Sequence, residues 1–307
     1  MADLKKEIAA YLDHCKHHKK LNAKTIKAYS IDLAQFRIHI KEVEKRVTKS
    51  EISGYIKHLH ENYSPKSAKR KLASIKAFFN YLDFEERIDT NPIAKIRTKF
   101  QEPKVLPRTI PIKAIENILT TAYKNLDTAK TADEVRTAQR DIAIIELLFA
   151  TGMRVSELCS LRLRDVNLDD GSIKIMGKGA KERIIQIGND EVLEAIQQYK
   201  ESFLVSINEV GFFFVNRRGL RLNEQSVRSM IRRLCIQADI NIHITPHMFR
   251  HSFASLLLEE DVDIRYIQCM LGHSSIQTTQ IYTQVTTEKQ RRILSEKHPR
   301  NRFTHGT

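Results

Sequence analysis

A stretch of prolines and charges, residues 97–108, interrupts the hydrophobic periodicity of this 307-residue chain. Before it, apolar residues recur only at the three- and four-residue spacing of helices. After it, helical patterns are joined by short strand-like segments. Prolines and charges without periodicity are typical of linkers between domains. The sequence therefore predicts an all-α domain over residues 1–98, a linker over 99–108 and a mixed domain over 109–307.

The N-terminal helices carry recognisable start signals. Thr48 and Glu51 have the spacing of a capping box, and Ser64-Pro65 offers an N-cap followed by proline in the first helical turn. Basic residues concentrate in the helix that follows. We expect them to contact DNA phosphates, against the alternative of a solvated charged face. They are Lys66, Lys69, Arg70, Lys71 and Lys76.

The chain is strongly basic, with a formal net charge of +14 and a pI near 9.6. Residues 1–107 hold 23 Lys and Arg against 13 Asp and Glu, so the excess is greatest in the N-terminal third. Such charge favours phosphate polyanions, either nucleic acid or an anionic membrane. No apolar run reaches the roughly 18 residues of a membrane span, and the N-terminus lacks a signal-peptide apolar region. We expect a cytoplasmic protein without a membrane partner.

The mixed domain reads as helices around a small sheet. Two segments rich in isoleucine flank Gly177-Lys178-Gly179, which predicts two strands joined by a glycine-rich turn. The predicted strands are Ser172–Met176 and Arg183–Ile187, and the predicted helices cover roughly residues 111–125, 134–150, 190–203, 223–239 and 247–260. The fold class is therefore mainly α with a small β-sheet.

Four cysteines are scattered through the chain without a C-x-x-C pair. This spacing argues against a disulfide framework and against a structural zinc site. We expect four reduced, buried thiols, at Cys15, Cys159, Cys235 and Cys269.

Two short segments place cationic side chains at turns. In Thr151–Leu158, a glycine ends one helix and the next begins at once, so Arg154 lies at the junction and Glu157 could orient it. In the glycine-rich turn, Lys178 projects from the hairpin tip, where glycine lets the backbone approach a ligand. On its own, Arg154 is as compatible with a surface arginine that caps a carbonyl, and Lys178 taken singly fits an exposed turn lysine better than a functional one.

Two further segments place the remaining reactive side chains. Pro246 fits a first helical turn, so His247 and Arg250 lie three apart on one helical face near a helix N-terminus, which is a plausible anion site. Further on, Gly272 ends a helix, and His273 and Tyr282 follow. Taken singly, the histidine and the tyrosine are also compatible with simple packing.

Together these residues suit phosphoryl transfer without a metal ion. Two arginines can hold the nonbridging phosphate oxygens by bidentate hydrogen bonds and neutralise their charge. A lysine can protonate a leaving alkoxide, and a histidine can accept a proton. A tyrosine, with an ordinary pKa of about 10, becomes a usable nucleophile beside several cations. The chain has no HExxH motif or matched carboxylate cluster for two metals.

This set, in this order, resembles the tyrosine recombinases, also called the phage integrase family, and most of all their compact Xer-type or simple phage and transposon members. The pairing of Pro246–Ala254 with Leu271–Tyr282 is the most specific part of the resemblance. The resemblance spans nearly the whole chain. It implies an all-α, SAM-like core-binding bundle followed by an α+β catalytic domain, and an enzyme that breaks and rejoins DNA strands with no cofactor, metal or ATP.

The resemblance also implies the residue roles. Arg154 and Arg250 match the two phosphate-binding arginines. Lys178 matches the general acid on the 5′ oxygen, and His247 a proton acceptor or phosphate ligand. His273 matches a histidine that supports the transition state, and Tyr282 the nucleophile that forms a 3′-phosphotyrosine.

The expected partner is a double-stranded recombination site. The resemblance implies four protomers on two sites, either identical or shared with a second recombinase, with accessory proteins as further partners. The segment Thr286–Arg302 is then expected to dock on a neighbouring protomer, its alternative being a disordered basic tail. The sequence leaves the DNA site open, and with it the task, whether chromosome dimer resolution, phage integration or transposon movement.

Three other functions compete with recombination. A type IB topoisomerase would use the same chemistry to relax supercoils as a monomer. A DNA-binding regulator would keep the fold without cutting, although the complete residue set argues against it. A metal-dependent nuclease is the weakest alternative, since its carboxylates are missing.

Overall fold

The computed structural model describes residues 4–40, 47–96, 98, 100, 108–177, 182–272 and 287–302. The chain divides into two compact units, Met1–Val105 and Leu106–Thr307. Most of the predicted linker lies outside the described residues.

The N-terminal unit is a bundle of four helices in its described part. Thr48 and Glu51 form the predicted capping box, in which the Thr48 N–H donates to the Glu51 carboxylate over 2.6 Å. Ser64 caps the last helix, and Pro65 occupies its first turn. The core includes fully buried aromatic rings such as Phe78, which satisfies the apolar periodicity of the sequence. The helices are α1 (Leu4–His17), α2 (Ala23–His39), α3 (Lys49–Asn62) and α4 (Pro65–Phe84).

The C-terminal unit contains eight described helices around one large hydrophobic core. The predicted helices are present, but the one expected to end near residue 203 continues to Val210. Its true end is set by Gly211, which adopts the left-handed conformation (φ +71°). The helices are α5 (Ile112–Asp127), α6 (Ala132–Thr151), α7 (Val155–Leu158), α8 (Asp190–Val210), α9 (Glu224–Gln237), α10 (Pro246–Glu259), α11 (Ile264–Leu271) and α12 (Thr287–Lys297).

A small antiparallel sheet lies in the same unit, with strands β1 (Val166–Asn167), β2 (Ser172–Met176) and β3 (Glu182–Gln186) in that order. The β2–β3 hairpin matches the prediction, with Ile173 opposite Ile185 and both side chains buried. Strand β1 was missed because two residues are too short for a periodic signal.

The cysteine prediction is correct for three side chains and wrong for one. Cys15, Cys159 and Cys235 are free thiols in the interior, whereas Cys269 is exposed. Cys269 lies on α11, between the buried positions Ile267 and Met270, so the helical period turns it towards solvent.

The C-terminal segment packs on its own unit in this single chain. Leu294 of α12 is buried, and so are His298 and Arg300 in and beside the 3-10 turn Pro299–Arg302. The backbone of α12 comes so close to the segment after β3 that a Cβ on Gly188 would lie 2.5 Å from the Ser295 nitrogen. Docking of this segment on a neighbouring protomer stays a prediction. Residues 287–302 form α12 and the 3-10 turn, which differs from the alternative of a disordered tail.

Candidate active site

Helix α6 ends in a tight turn that positions Arg154. Gly152 caps the helix in the left-handed conformation (φ +58°), and its N–H donates to the Leu148 carbonyl over 3.1 Å. A Cβ here would lie 2.8 Å from the Phe253 ring, so both conformation and space favour glycine. The chain therefore turns at once into α7, and Arg154 becomes its N-cap, at the predicted helix junction.

Glu157 orients Arg154, as the sequence suggested. Its carboxylate accepts from the Arg154 guanidinium over 2.7 Å and from the Arg154 backbone N–H over 2.8 Å. The Glu157 side chain is only 6% exposed, whereas that of Arg154 is 36% exposed. One edge of the guanidinium is thus fixed to the protein, and the group keeps access to solvent.

Arg183 of β3 binds the same carboxylate from the other side. Its two terminal nitrogens donate to Glu157 over 3.1 and 2.7 Å, and its Nε donates to the Met270 carbonyl over 2.9 Å. Burial alone would raise the pKa of Glu157, but the hydrogen bonds from Arg183 and Arg154 hold it below its ordinary value. Glu157 is therefore ionised, and it links α7, β3 and the end of α11.

Arg250 of α10 is buried, and its hydrogen-bond partners among the described residues are backbone carbonyls. Its guanidinium donates to the Gly152 carbonyl over 3.0 Å and to the Leu271 carbonyl over 2.6 Å. Burial, with the charge of Arg154 nearby, lowers its pKa to about 10, so it stays protonated at neutral pH. Because Gly152 belongs to the turn before Arg154, both arginines are anchored at the same place.

His247 lies one helical turn before Arg250 and keeps access to solvent. Partial loss of hydration lowers its pKa below the ordinary value, and His251, Arg250, Arg154 and Arg228 lower it further. The imidazole is therefore neutral at pH 7 and can accept a proton.

The described part of this site carries more positive than negative charge. Arg154 and Arg183 pair with the single carboxylate of Glu157, and Arg250 adds a third guanidinium close enough to interact electrostatically with it. An anion with several oxygens, such as a phosphodiester, fits this excess and the bidentate geometry of arginine.

Three of the predicted catalytic residues, Lys178, His273 and Tyr282, lie outside the described residues. Their immediate neighbours are described. Gly177 follows β2 directly, and Gly272 caps α11 in the left-handed conformation (φ +65°), where a Cβ would lie 3.0 Å from the Arg183 side chain.

Sequence reasoning did not assign a role to Arg183. A signal was present in the strand pattern, because side chains two apart in a strand share one face. Arg183 therefore shares the face of Ile185, which is fully buried. An arginine on the core-facing side of a strand needs a buried partner, and Glu157 is that partner.

The five basic residues predicted to contact DNA divide into two groups. Lys66, Lys69 and Arg70 are exposed and Lys76 is partly exposed. Lys71, in contrast, is buried.

Lys71 is therefore a correction to the predicted phosphate contacts. Its ammonium lies 3.2 Å from the carboxylate of the fully buried Asp32, bonds Gln35 and lies 4.6 Å from the Tyr63 ring. A buried carboxylate requires a compensating charge, so Lys71 stabilises the bundle instead of facing solvent. Arg70 also pairs with Asp32 but keeps half of its side chain exposed.

The described residues contain no cluster of three or more His, Cys, Asp or Glu side chains with the arrangement of a metal site. Within the same ranges, none of the helices has both the length and the apolar character of a membrane span.

Two family models match the chain. The phage integrase family matches residues 116–289, which contain all six predicted catalytic residues. The N-terminal SAM-like domain of phage integrases matches residues 8–86, within the helical bundle.

Curated relatives and solved structures agree with these matches. A protein of Agathobacter rectalis named tyrosine recombinase is 52% identical over 304 residues, covering 99% of both chains. Tyrosine recombinase XerD of Staphylococcus saprophyticus is 37% identical, covering 95% of this chain and 98% of its own. XerH site-specific recombinase, solved as a post-cleavage complex with a palindromic difH substrate, shares the fold with a TM-score of 0.69 at 20% identity, over 94% of this chain and 80% of its own. The chain therefore belongs to the phage integrase family, the tyrosine recombinases.

Proposed function

We propose that this protein catalyses site-specific recombination by cutting and rejoining double-stranded DNA through a covalent bond to Tyr282. The observation that carries the proposal is the anchoring of Arg154 and Arg250 on one turn, with positive charge left over. The relatives named tyrosine recombinases support the same chemistry.

The two arginines bind the scissile phosphate. Arg154 reaches it with the edge that Glu157 leaves open, and Arg250 from its buried position under the turn. Both groups are held before DNA arrives, so little reorganisation is needed when charge builds up on the phosphate oxygens. This neutralisation is the task that Mg²⁺ performs in other phosphoryl-transfer enzymes.

The covalent step exchanges one phosphate ester for another. The Tyr282 hydroxyl oxygen attacks the phosphorus, and the bond from phosphorus to the 5′ oxygen breaks. Neutral His247 accepts the tyrosine proton, and Lys178 protonates the leaving 5′ oxygen. His273 supports the crowded phosphate in the transition state. The 3′-phosphotyrosine keeps the ester energy, so rejoining needs neither ATP nor another cofactor.

Strand exchange reverses the covalent step on a partner. The 5′ hydroxyl of a second DNA strand attacks the phosphotyrosine, which releases Tyr282 and creates a Holliday junction. A second pair of exchanges resolves that junction. We propose that four protomers act on two sites in the cytoplasm, as a homotetramer or with a second recombinase, and that Thr286–Arg302 docks on the neighbouring protomer. Lys66, Lys69, Arg70 and Lys76 would contact phosphates of the flanking duplex.

Covalent capture tests the proposal. Protein would be mixed with fragmented genomic DNA in EDTA and denatured in SDS, and the DNA that stays attached would be sequenced. We expect adducts with the wild type but none with Tyr282→Phe. Tyr266→Phe, which removes a hydroxyl from α11, serves as the matched control and should still form adducts. Loss of adducts on chelation would contradict the metal-free mechanism.

The captured DNA also separates the competing functions. Enrichment of one sequence supports a recombinase, and its genomic position distinguishes chromosome dimer resolution at cell division from phage integration or transposon movement. Adducts on any sequence, with relaxation of a plasmid that lacks a site, indicate a topoisomerase. Failure on a nicked suicide substrate would overturn cleavage and favour the DNA-binding regulator.

A further inference from the structure

A second pair of arginines in the C-terminal unit is stacked on one aromatic ring. The guanidinium carbon of Arg162 lies 4.3 Å from the centroid of the Phe212 ring, and that of Arg221 lies 4.1 Å from it. Both distances are well inside the range of cation–π attraction. The Arg221 Nε also donates to the Cys159 carbonyl over 2.9 Å, which fixes this guanidinium from a second direction.

Neither guanidinium of this pair is neutralised within the described ranges of the chain, because no carboxylate there forms an ion pair with Arg162 or Arg221. The nearby Asp165 carboxylate accepts from the Arg162 backbone N–H, over 2.9 Å. Both arginines are exposed. Two like charges held on one ring repel each other, so the arrangement gains most when an anion binds both.

The pair adjoins the candidate active site along two paths. The carbonyl of Cys159 anchors Arg221, and Cys159 directly follows α7, the helix that Arg154 caps. At a rise of about 1.5 Å per residue, the backbones of Cys159 and Arg154 lie about 8 Å apart. From Arg221 the chain also leads into α9, where Arg228 is near enough to lower the pKa of His247. Phosphates of one strand follow each other every ~3.4 Å along the duplex axis.

We propose that Arg162, Phe212 and Arg221 form a second phosphate-binding site, which holds a DNA backbone phosphate near the scissile one. This site rests on the proposed function, because its ligand is the same DNA. Phe212 acts as a platform that keeps both guanidiniums open to the phosphate oxygens. The contact is independent of base sequence and sets the position of the strand.

Salt dependence of DNA binding tests the site. Affinity for a 30-base-pair duplex of arbitrary sequence would be measured between about 50 and 200 mM KCl. Each phosphate contact contributes about 0.9 to the slope of log K against log salt. Arg162→Gln and Arg221→Gln should each reduce the slope by about one contact and weaken binding equally for different sequences. Thermal unfolding should show that each variant remains folded.

Lys124→Gln is the matched control, because it removes the same charge from a cleft lined by Asp127, Glu191 and Glu194, where DNA would be repelled. Its slope should equal that of the wild type. Equal slopes for wild type, Arg162→Gln and Arg221→Gln would overturn the phosphate-binding site. The two arginines would then only shield the Phe212 ring from solvent.

Phe212→Leu provides a second readout that keeps both charges. Losing the platform should weaken binding about three- to tenfold while the variant stays folded. Unchanged affinity would reject the ring as a platform. These measurements do not depend on covalent chemistry, so they stand if Tyr282 fails to form adducts. Conversely, normal adduct formation together with salt slopes that the variants leave unchanged would contradict only the second phosphate-binding site.

Discussion

Two buried arginines in the C-terminal unit have opposite surroundings. Arg300 is fully buried and bonds two carboxylates, Glu146 and Glu191, each over 2.7 Å at the shortest. Arg250 is nearly as buried, but the groups that it bonds are the carbonyls of Gly152 and Leu271.

Their pKa values diverge accordingly. Burial alone would lower the pKa of Arg300, but the hydrogen bonds to Glu146 and Glu191 raise it above its ordinary value. For Arg250, burial and the charge of Arg154 lower the pKa to about 10. Arg300 is thus neutralised by two carboxylates, whereas no carboxylate of the described residues forms an ion pair with Arg250. The comparison shows that two arginines of similar burial differ in pKa because their partners differ, and it supports the proposal of a structural role for Arg300 and a catalytic one for Arg250.

The largest effect is expected from Arg300→Met, which leaves Glu146 buried without its main counter-charge. The free energy of unfolding should fall by about 3–5 kcal/mol, measured by urea denaturation, with hydrogen exchange in α6 assigning the loss to this unit. The double variant Glu146→Met/Arg300→Met should recover most of it, because neither charge remains. A loss below about 1 kcal/mol for the single variant would contradict the structural role given to Arg300 in this comparison.

Arg250→Gln should behave in the opposite way. We expect the rate of adduct formation to fall about 10²- to 10³-fold, as for other preorganised donors to a developing charge, with a smaller loss of stability than for Arg300→Met. Single-turnover cleavage on a suicide substrate measures the rate. A variant that cleaves normally but unfolds easily would make Arg250 structural as well.

A third prediction concerns pH and the residue beside Arg300. His298 is buried. Its Nδ1 accepts a hydrogen bond from the Arg300 backbone N–H over 3.1 Å, so its Nε2 carries the proton and donates to the Phe149 carbonyl over 3.2 Å. Burial lowers its pKa to about 4. The native protein therefore binds fewer protons than the unfolded chain, so stability should fall by about 3 kcal/mol between pH ~6.5 and ~4.

Equilibrium unfolding at several pH values checks this dependence. His298→Gln cannot titrate, so its stability should vary less over the same interval. An equally steep dependence in the variant would assign the effect to other groups.

The smallest effect is expected from Arg183→Gln. Glu157 would keep its bonds to Arg154 and lose those to β3, so the rate of cleavage should fall about tenfold with DNA affinity nearly unchanged. Lys174→Gln, which breaks an exposed ion pair with Glu182 on the same sheet, is the control and should change the rate less than twofold. A fall in affinity without a fall in rate would place Arg183 in DNA binding instead.

Local signals in the sequence predicted most elements. The capping box at Thr48 and Glu51, the Ser64-Pro65 start and the β2–β3 hairpin are all present, because each depends on neighbours within a few residues. One prediction failed because of a distant partner, and another because a local signal was overlooked. Lys71 is buried because Asp32 lies across the bundle, and the end of α8 was placed too early because Gly211 had not been recognised as its cap.

The sequence by itself determined the family of this protein. The spacing of Arg154, His247 and Arg250, with Lys178 and Tyr282, indicated the family, because residue type and order survive without coordinates. Only the tertiary structure decided which charges are neutralised. Arg183 is 26 residues from Glu157, and Arg300 is 154 residues from Glu146. A strand pattern can indicate that Arg183 needs a buried partner, but no local pattern identifies that partner, because such pairs form only when packing brings distant residues together.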